Sequence, residues 1–129
     1  MSLLLDTNVF LWAAEKNPRL TPRLIERLMD PNEVVYVSAV SAWEISTKWS
    51  KGQIKLPQEP DAFLRSAVAN AGYSQLSISF SHAAAVGLLP NHHKDPFDRL
   101  IIVQARATGF RVLTSDRVFL KYDVEIVLP

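Results

Sequence analysis

Short apolar runs without a polar face alternate along this chain with longer segments in which apolar residues recur at helical spacing. The first run contains three consecutive leucines at residues 3–5, and such a run is typical of a strand that is buried on both faces of a sheet. Similar runs recur to the end of the chain. The pattern predicts strands at residues 2–5, 34–37, 76–78, 111–113 and 124–128.

The segments between these runs carry local signals for helix starts and stops. Thr21 followed by Pro22 is a typical helix start, and the Asp-Pro pair at residues 95–96 repeats it. Ser41 and Glu44 have the spacing of a capping box, and Gly109 is a typical C-terminal stop. The predicted helices are residues 9–15, 22–29, 41–52, 61–71, 81–87 and 96–108.

The alternation of strands and helices indicates parallel strands that are joined by helical crossovers. We therefore expect an α/β fold, a three-layer α/β/α sandwich around a central and mostly parallel sheet. No linker-like segment divides the chain, so residues 1–129 are expected to form a single domain.

Composition limits the chemistry that is open to the chain. Cysteine is absent, which excludes disulfides, thiolate nucleophiles and cysteine-bound zinc, and which suits a reducing cytoplasm. The apolar runs are too short to cross a bilayer and the N-terminus lacks secretory features, so we expect a cytoplasmic location and no membrane partner. The net charge of +1 does not exclude a nucleic-acid substrate, because it says nothing about how the charges are distributed.

Four acidic residues stand where a parallel sheet would place a ligand site. Asp6 and Asp116 follow predicted strands, and the carboxyl ends of such strands border the ligand crevice in open parallel sheets. Asp98 lies in the first turn of its helix on the apolar side, where an unpaired charge is costly. Glu44 lies just beyond the second predicted strand, near the same edge of the sheet.

Each of the four also has a purely structural explanation. Asp6 can cap a helix, Asp116 can form an Asx turn and Asp98 can interact with the helix dipole. Glu44 can complete the capping box or pair with Lys48 one turn further on.

Together, however, the four acids indicate a cation. Two like charges about 4 Å apart repel by about 4 kcal/mol at an effective dielectric constant of about 20, so clustered carboxylates must bind a cation or protons. Without cysteine, Mg²⁺ or Mn²⁺ is the natural choice. Such ions favour phosphate chemistry.

The order of the motifs resembles that of the PIN-domain family, and within it the VapC-type toxins of bacterial and archaeal toxin–antitoxin pairs. The matching pieces are Leu-Asp-Thr-Asn at residues 5–8, Ser-Ala-Val-Ser-Ala-Trp-Glu-Ile at 38–45, Asp-Pro-Phe-Asp-Arg-Leu-Ile-Ile at 95–102 and Leu-Thr-Ser-Asp at 113–116. They span nearly the whole chain, and four of them in this order are specific for the family.

The resemblance implies a PIN-like fold and a Mg²⁺- or Mn²⁺-dependent endoribonuclease that hydrolyses RNA phosphodiester bonds, leaving a 5′-phosphate and a 3′-hydroxyl. It implies that Thr7 and Ser115 orient carboxylates or water. It also implies a homodimer and a cognate antitoxin protein as partners beside the RNA. The implied catalytic residues are Asp6, Glu44, Asp98 and Asp116, of which Asp6, Asp98 and Asp116 bind the metal.

Basic residues close to the acids could neutralise a substrate phosphate. Each also has an ordinary role open to it, as a surface, loop or ion-pairing residue. Trp43 and Trp49 are expected in the core rather than as platforms for bases. The predicted substrate contacts are Lys48, His93, Lys94 and Arg99.

Two other function classes remain open at this point. One is a PIN-like nuclease with an RNA-processing or DNA-directed role, which the short chain without extra domains favours less than a toxin. The other is a metal-binding interaction domain without catalysis, resembling a receiver module. That class usually has an additional acidic pair beside the first strand and a lysine after a late strand, and neither pattern is present.

Overall fold

The computed structural model describes residues 2–128, which form a five-stranded sheet with helices on both faces. All neighbouring strands are parallel, and their order across the sheet is β3-β2-β1-β4-β5. The predicted α/β sandwich is confirmed. The strands are β1 (Ser2–Leu5), β2 (Val34–Ser38), β3 (Ser74–Leu76), β4 (Arg111–Leu113) and β5 (Ile126–Val127).

Six α-helices connect the strands within the described residues. None of them is both long and apolar enough to span a membrane. Two short 3₁₀ turns, Val86–Leu88 and Arg117–Lys121, complete the connections. The helices are α1 (Thr7–Glu15), α2 (Pro22–Leu28), α3 (Ala39–Ser50), α4 (Pro60–Ala71), α5 (Phe80–Ala85) and α6 (Pro96–Thr108).

The leucines of β1 belong to both halves of the core, because successive side chains of a strand point to opposite faces of the sheet. Leu3 and Leu5 pack in a cluster with residues from α1, α2 and α4. Leu4 packs in a second cluster, dominated by α6. All three leucines are fully buried, which explains why the run has no polar face.

The chain order of the strands creates a crevice beside β1. From β1 the chain moves outward to β2 and β3, and it then returns to β4 on the other side of β1. The strand order therefore reverses between β1 and β4, the point at which open parallel sheets bind ligands. The backbone N–H of Asp6, just after β1, donates to the carbonyl of Leu113 at the end of β4 at 3.1 Å.

The start of α3 differs from the prediction and changes the interpretation of Glu44. Ser38, the last residue of β2, caps the helix by accepting the N–H of Val40 at 3.0 Å. The predicted capping box of Ser41 and Glu44 is therefore wrong. Because the helix follows β2 without a turn, Ser41 already lies in its first turn, where its hydroxyl is 2.9 Å from that of Thr7.

Four further predictions are corrected by the structure. β3 lies two residues earlier than expected, and β5 contains two residues rather than five, because each pairs with only one neighbour at the edge of the sheet. α5 is capped by Ser79 rather than Ser81, and His82 completes its capping box. Trp43 and Trp49 are not core residues, since they are 54% and 42% exposed.

Candidate active site

Asp6 links the two strands that border the crevice. It caps α1, as predicted, because its Oδ1 accepts the N–H of Val9 at 2.8 Å. Its Oδ2 accepts the hydroxyl of Thr114, the residue that follows β4. Burial raises the pKa of Asp6 to about 6; these two hydrogen bonds oppose the rise, and the charges of Asp116 and Glu44 add to it. Asp6 thus joins the end of β1 to the residue that follows β4.

Asp98 lies in the first turn of α6 and is half-buried. Burial is the main cause that raises its pKa to about 7, and the charges of Asp95, Glu44 and Asp6 raise it further, while His93 lowers it. The sequence argument that this carboxylate sits on an apolar side of its helix and needs a partner agrees with this environment.

Asp116 completes the group at the end of β4. Its Oδ1 accepts the N–H of Val118 and caps the following 3₁₀ turn, at 2.9 Å. Its Oδ2 is 2.7 Å from Nε2 of His93, and the same nitrogen is 3.2 Å from Oδ2 of Asp98. His93 therefore lies between two of the four acids.

Glu44 is almost fully buried, with 4% of its surface exposed. Its Oε2 accepts a hydrogen bond from Nζ of Lys48 at 2.6 Å, which confirms the predicted pairing and raises the pKa of that lysine. Its Oε1 has no hydrogen-bond partner among the described residues. Since a buried unpaired acceptor costs about 1–3 kcal/mol or more when charged, this oxygen indicates a place for a cation or a water.

The donors at this site fit a hard divalent cation. Carboxylate oxygens of Asp98 and Asp116 and a ring nitrogen of His93 lie within 4.8 Å of one another. Burial is the main cause of the raised pKa values of Asp6 and Asp98, and the charges of neighbouring acids add to it, so a bound cation would favour the ionised form of both. Carboxylate oxygens are the ligands that Mg²⁺ and Mn²⁺ prefer.

The polar residues that were predicted to orient the acids are placed differently. Thr7 bonds to Ser41 and joins α1 to α3 instead of holding a carboxylate. Ser115 is exposed. The orienting residue in the structure is Thr114, which donates to Asp6 and accepts the N–H of Asp116 at 3.0 Å. Its hydroxyl and its position next to Ser115 and Asp116, directly after β4, already indicate this role in the sequence.

The guanidinium of Arg99 binds the loop that precedes α6. Its nitrogens donate to backbone carbonyls of the preceding loop at 3.1–3.5 Å. These contacts support the loop, and a substrate contact of Arg99 stays a prediction. Lys48 lies beside Glu44, and Lys94 is exposed at the loop. The carbonyls that Arg99 binds are those of Val86, Leu89, Pro90 and His93.

The sheet is parallel, and carboxylates cluster at its switch point. The protein is therefore an α/β protein with a site suited to a divalent metal ion. The PIN-domain family model matches residues 3–125. The chain belongs to the PIN-domain family, which supports a nuclease function. Comparison with curated proteins gives no match.

Solved structures with the same fold include bacterial VapBC proteins. A chain of VapBC2 from Rickettsia felis, bound to a promoter DNA fragment, matches with a TM-score of 0.76 and 19% identity, covering 99% of this chain and 98% of that one. DNA-bound VapBC from Salmonella typhimurium matches with a TM-score of 0.71 and 17% identity, covering 99% of this chain and 98% of that one.

A third match is VapBC-5 from Mycobacterium tuberculosis, a member of the VapBC family of toxin–antitoxin systems, with a TM-score of 0.58 and 19% identity. It covers 98% of this chain and 96% of that chain. At these identities the likeness concerns the fold.

Proposed function

We propose that this protein is a Mg²⁺- or Mn²⁺-dependent endoribonuclease that acts as a VapC-type toxin. The observation that carries the proposal is the convergence of four acids at the switch point of the sheet, where a buried carboxylate oxygen of Glu44 has no hydrogen-bond partner among residues 2–128. Membership of the PIN-domain family and the fold shared with VapBC proteins support the same function. RNA as the substrate rests on the sequence resemblance.

In this proposal the acids divide the work between them. Asp6, Asp98 and Asp116 hold the metal, and Oε1 of Glu44, which has no hydrogen-bond partner among the described residues, is a further oxygen available to the site. Thr114 fixes the orientation of Asp6 by its hydrogen bond. When bound, the metal would stabilise negative charge on the phosphoryl oxygens and would lower the pKa of water, so that hydroxide is available to attack phosphorus.

Lys48 is the basic residue best placed to meet a phosphate. Its Nζ donates a hydrogen bond to Glu44, and the charges of Asp95 and Asp98 also raise its pKa. Its ammonium group therefore lies near the acids. His93 and Lys94 belong to the loop beside them. Of these three residues, we propose phosphate contacts for Lys48 and Lys94.

The proposed partners follow from the relatives. A cognate antitoxin is supported by the VapBC toxin–antitoxin system among the matched structures, and a homodimer by the sequence resemblance. Co-purification with the product of an adjacent small reading frame tests the first, and light scattering of the purified chain tests the second. The cytoplasmic location stays a prediction.

Cleavage of a panel of structured and unstructured RNAs, with single-stranded and duplex DNA beside them, tests the activity. We expect RNA cleavage with Mn²⁺ or Mg²⁺, none with EDTA, and loss of cleavage in Asp6→Asn and Asp98→Asn proteins that keep a wild-type circular dichroism spectrum. Asp61→Asn is the matched control, because Asp61 pairs with Arg65 on the exposed side of α4. Undiminished activity in EDTA contradicts the mechanism, and cleavage of DNA alone favours the DNA-directed alternative.

A further inference from the structure

The ring of His93 joins two acids that come from different parts of the chain. Its Nε2 is within hydrogen-bond distance of Asp116 Oδ2, at 2.7 Å, and it is 3.2 Å from Asp98 Oδ2. Asp98 comes from the first turn of α6, and Asp116 from the end of β4. A single side chain therefore fixes the separation of two proposed metal ligands.

The other ring nitrogen determines which form of the ring makes these contacts. Nδ1 of His93 accepts the backbone N–H of Asp95 at 3.1 Å. A ring nitrogen that accepts a hydrogen bond carries no proton, so the proton of the neutral ring is on Nε2. Nε2 is then a hydrogen-bond donor to Asp116, and it has no lone pair to offer to a metal ion.

The ring is held in place by contacts that do not involve the acids. The backbone N–H of His93 donates to the hydroxyl oxygen of Tyr122 at 2.7 Å, and that hydroxyl donates to the carbonyl of Pro90 at 2.8 Å. Arg99 donates to the carbonyl of His93 at 3.1 Å. The ring also packs edge-to-face on Phe119, with 5.8 Å between centroids. These contacts position the Nε2–H group of His93 independently of a bound metal.

We propose that His93 is a positioning residue of the metal site and not one of its ligands. Its Nε2–H group donates to Oδ2 of Asp116 and faces Oδ2 of Asp98, which holds both carboxylates with their remaining lone pairs directed to one cation. Hydrogen-bonding neighbours of this kind orient metal-bound carboxylates and raise metal affinity. The inference rests on the proposed function, because it assumes that these acids bind metal.

Binding of Mn²⁺, followed by electron paramagnetic resonance without RNA, tests the proposal. We expect His93→Ala to weaken Mn²⁺ binding by about 10- to 100-fold. His93→Gln should keep most of the affinity, because its amide N–H can reach nearly the same point as Nε2. His92→Ala is the matched control in the same loop, since the His92 ring packs only on Tyr122 at 5.2 Å among the contacts described. It should bind Mn²⁺ as the wild type does.

A spin-echo spectrum of the Mn²⁺-bound wild type separates positioning from ligation. We expect no coupling from a directly bound imidazole nitrogen. Such a coupling, lost in His93→Ala, would make His93 a ligand and overturn the proposal. Unchanged affinity in His93→Ala overturns it as well, and so does a His93→Gln variant as weak as His93→Ala.

RNA cleavage measured on the same proteins keeps this inference distinct from the proposed function. Mn²⁺ binding that depends on His93, without RNA cleavage, removes the function and leaves the role of His93 intact. Metal-dependent RNA cleavage together with Mn²⁺ binding that does not depend on His93 keeps the proposed function and removes the role of His93. A wild type that binds no Mn²⁺ contradicts both.

Discussion

Asp98 shows most clearly how the site opposes folding in the absence of metal. Burial and the charge of Asp95 raise its pKa from the usual 3.8 to about 7, so the folded state holds a proton that the unfolded chain has already released. The contribution of this proton to stability is complete when the pH is below the pKa of Asp98 in the unfolded chain. It is lost as the pH rises through the pKa of Asp98 in the folded protein. Asp6 acts in the same direction, with a pKa of about 6.

We therefore expect metal-free wild-type protein to lose stability as the pH rises from about 4 to about 7, between the unfolded and folded pKa values of these carboxyls. Asp98→Asn should flatten this dependence and, at about pH 8, raise the free energy of unfolding by up to a few kcal/mol, since one pKa unit corresponds to about 1.4 kcal/mol. Urea unfolding in EDTA across this range measures both effects.

Asp61→Asn is the control for this experiment as well. Asp61 and Arg65 form an exposed pair on α4, and such pairs contribute about 0–1 kcal/mol. The substitution should leave the pH dependence of unfolding unchanged. An Asp98→Asn protein with the wild-type pH slope would show that its carboxylate is not the source of the loss.

Among the elements, the loop between α5 and α6 depends on Arg99. Its guanidinium donates to four backbone carbonyls, including those of Pro90 and His93. Hydrogen bonds from a charged donor contribute about 1.5–3 kcal/mol each, and the side chain is only partly exposed. We expect Arg99→Ala to lower the free energy of unfolding by a few kcal/mol and to speed amide hydrogen exchange at residues 90–94.

Arg106→Ala is the matched control for that element, because Arg106 lies on α6 but is exposed. Its free energy of unfolding should stay within about 0.5 kcal/mol of the wild type, with unchanged exchange in the loop. Equal exchange rates in Arg99→Ala and wild type would mean that other contacts, such as the Tyr122 hydroxyl, hold the loop alone.

The elements that the sequence predicted well are those with signals in adjacent residues. Asp95 caps α6 by accepting the N–H groups of Phe97 and Asp98, and Gly109 ends it with a left-handed backbone, φ 76°. The predicted start of α3 was wrong because Ser38 and Ser41 are equally good N-cap residues in the sequence. The choice between them depends on where β2 ends, and Ser38 belongs to β2 through its pairing with Leu76 of β3.

The candidate site was predictable as far as strand ends determine it. Asp6 and Asp116 meet because β1 and β4 are parallel neighbours, which the alternation of elements implied. The contact between His93 and Asp116 was not predictable, because it spans 23 residues and depends on the path of an irregular loop. That path is set by Tyr122 and Arg99, whose partners are backbone groups that leave no pattern in the sequence.

At the scale of the whole molecule, folding brings together carboxylates that repel one another. The switch point of the sheet gathers the acids from β1, α3, α6 and the end of β4, and the chain cannot form this sheet without doing so. A cation that binds only the folded state then stabilises the entire domain. The metal of the proposed function should therefore stabilise the folded state as well as take part in catalysis.

Thermal unfolding in EDTA and in increasing Mn²⁺ tests this coupling. A ligand at about 100 times its Kd adds about 2.7 kcal/mol to the folded state, so the Tm of the wild type should rise by several degrees and continue to rise with Mn²⁺ concentration. Asp98→Asn should start from a higher Tm in EDTA at about pH 8 and respond much less, because the substitution removes both the repulsion and a ligand. Asp61→Asn should respond as the wild type does. Equal Tm shifts in wild type and Asp98→Asn would place the stabilising cation outside the acidic cluster.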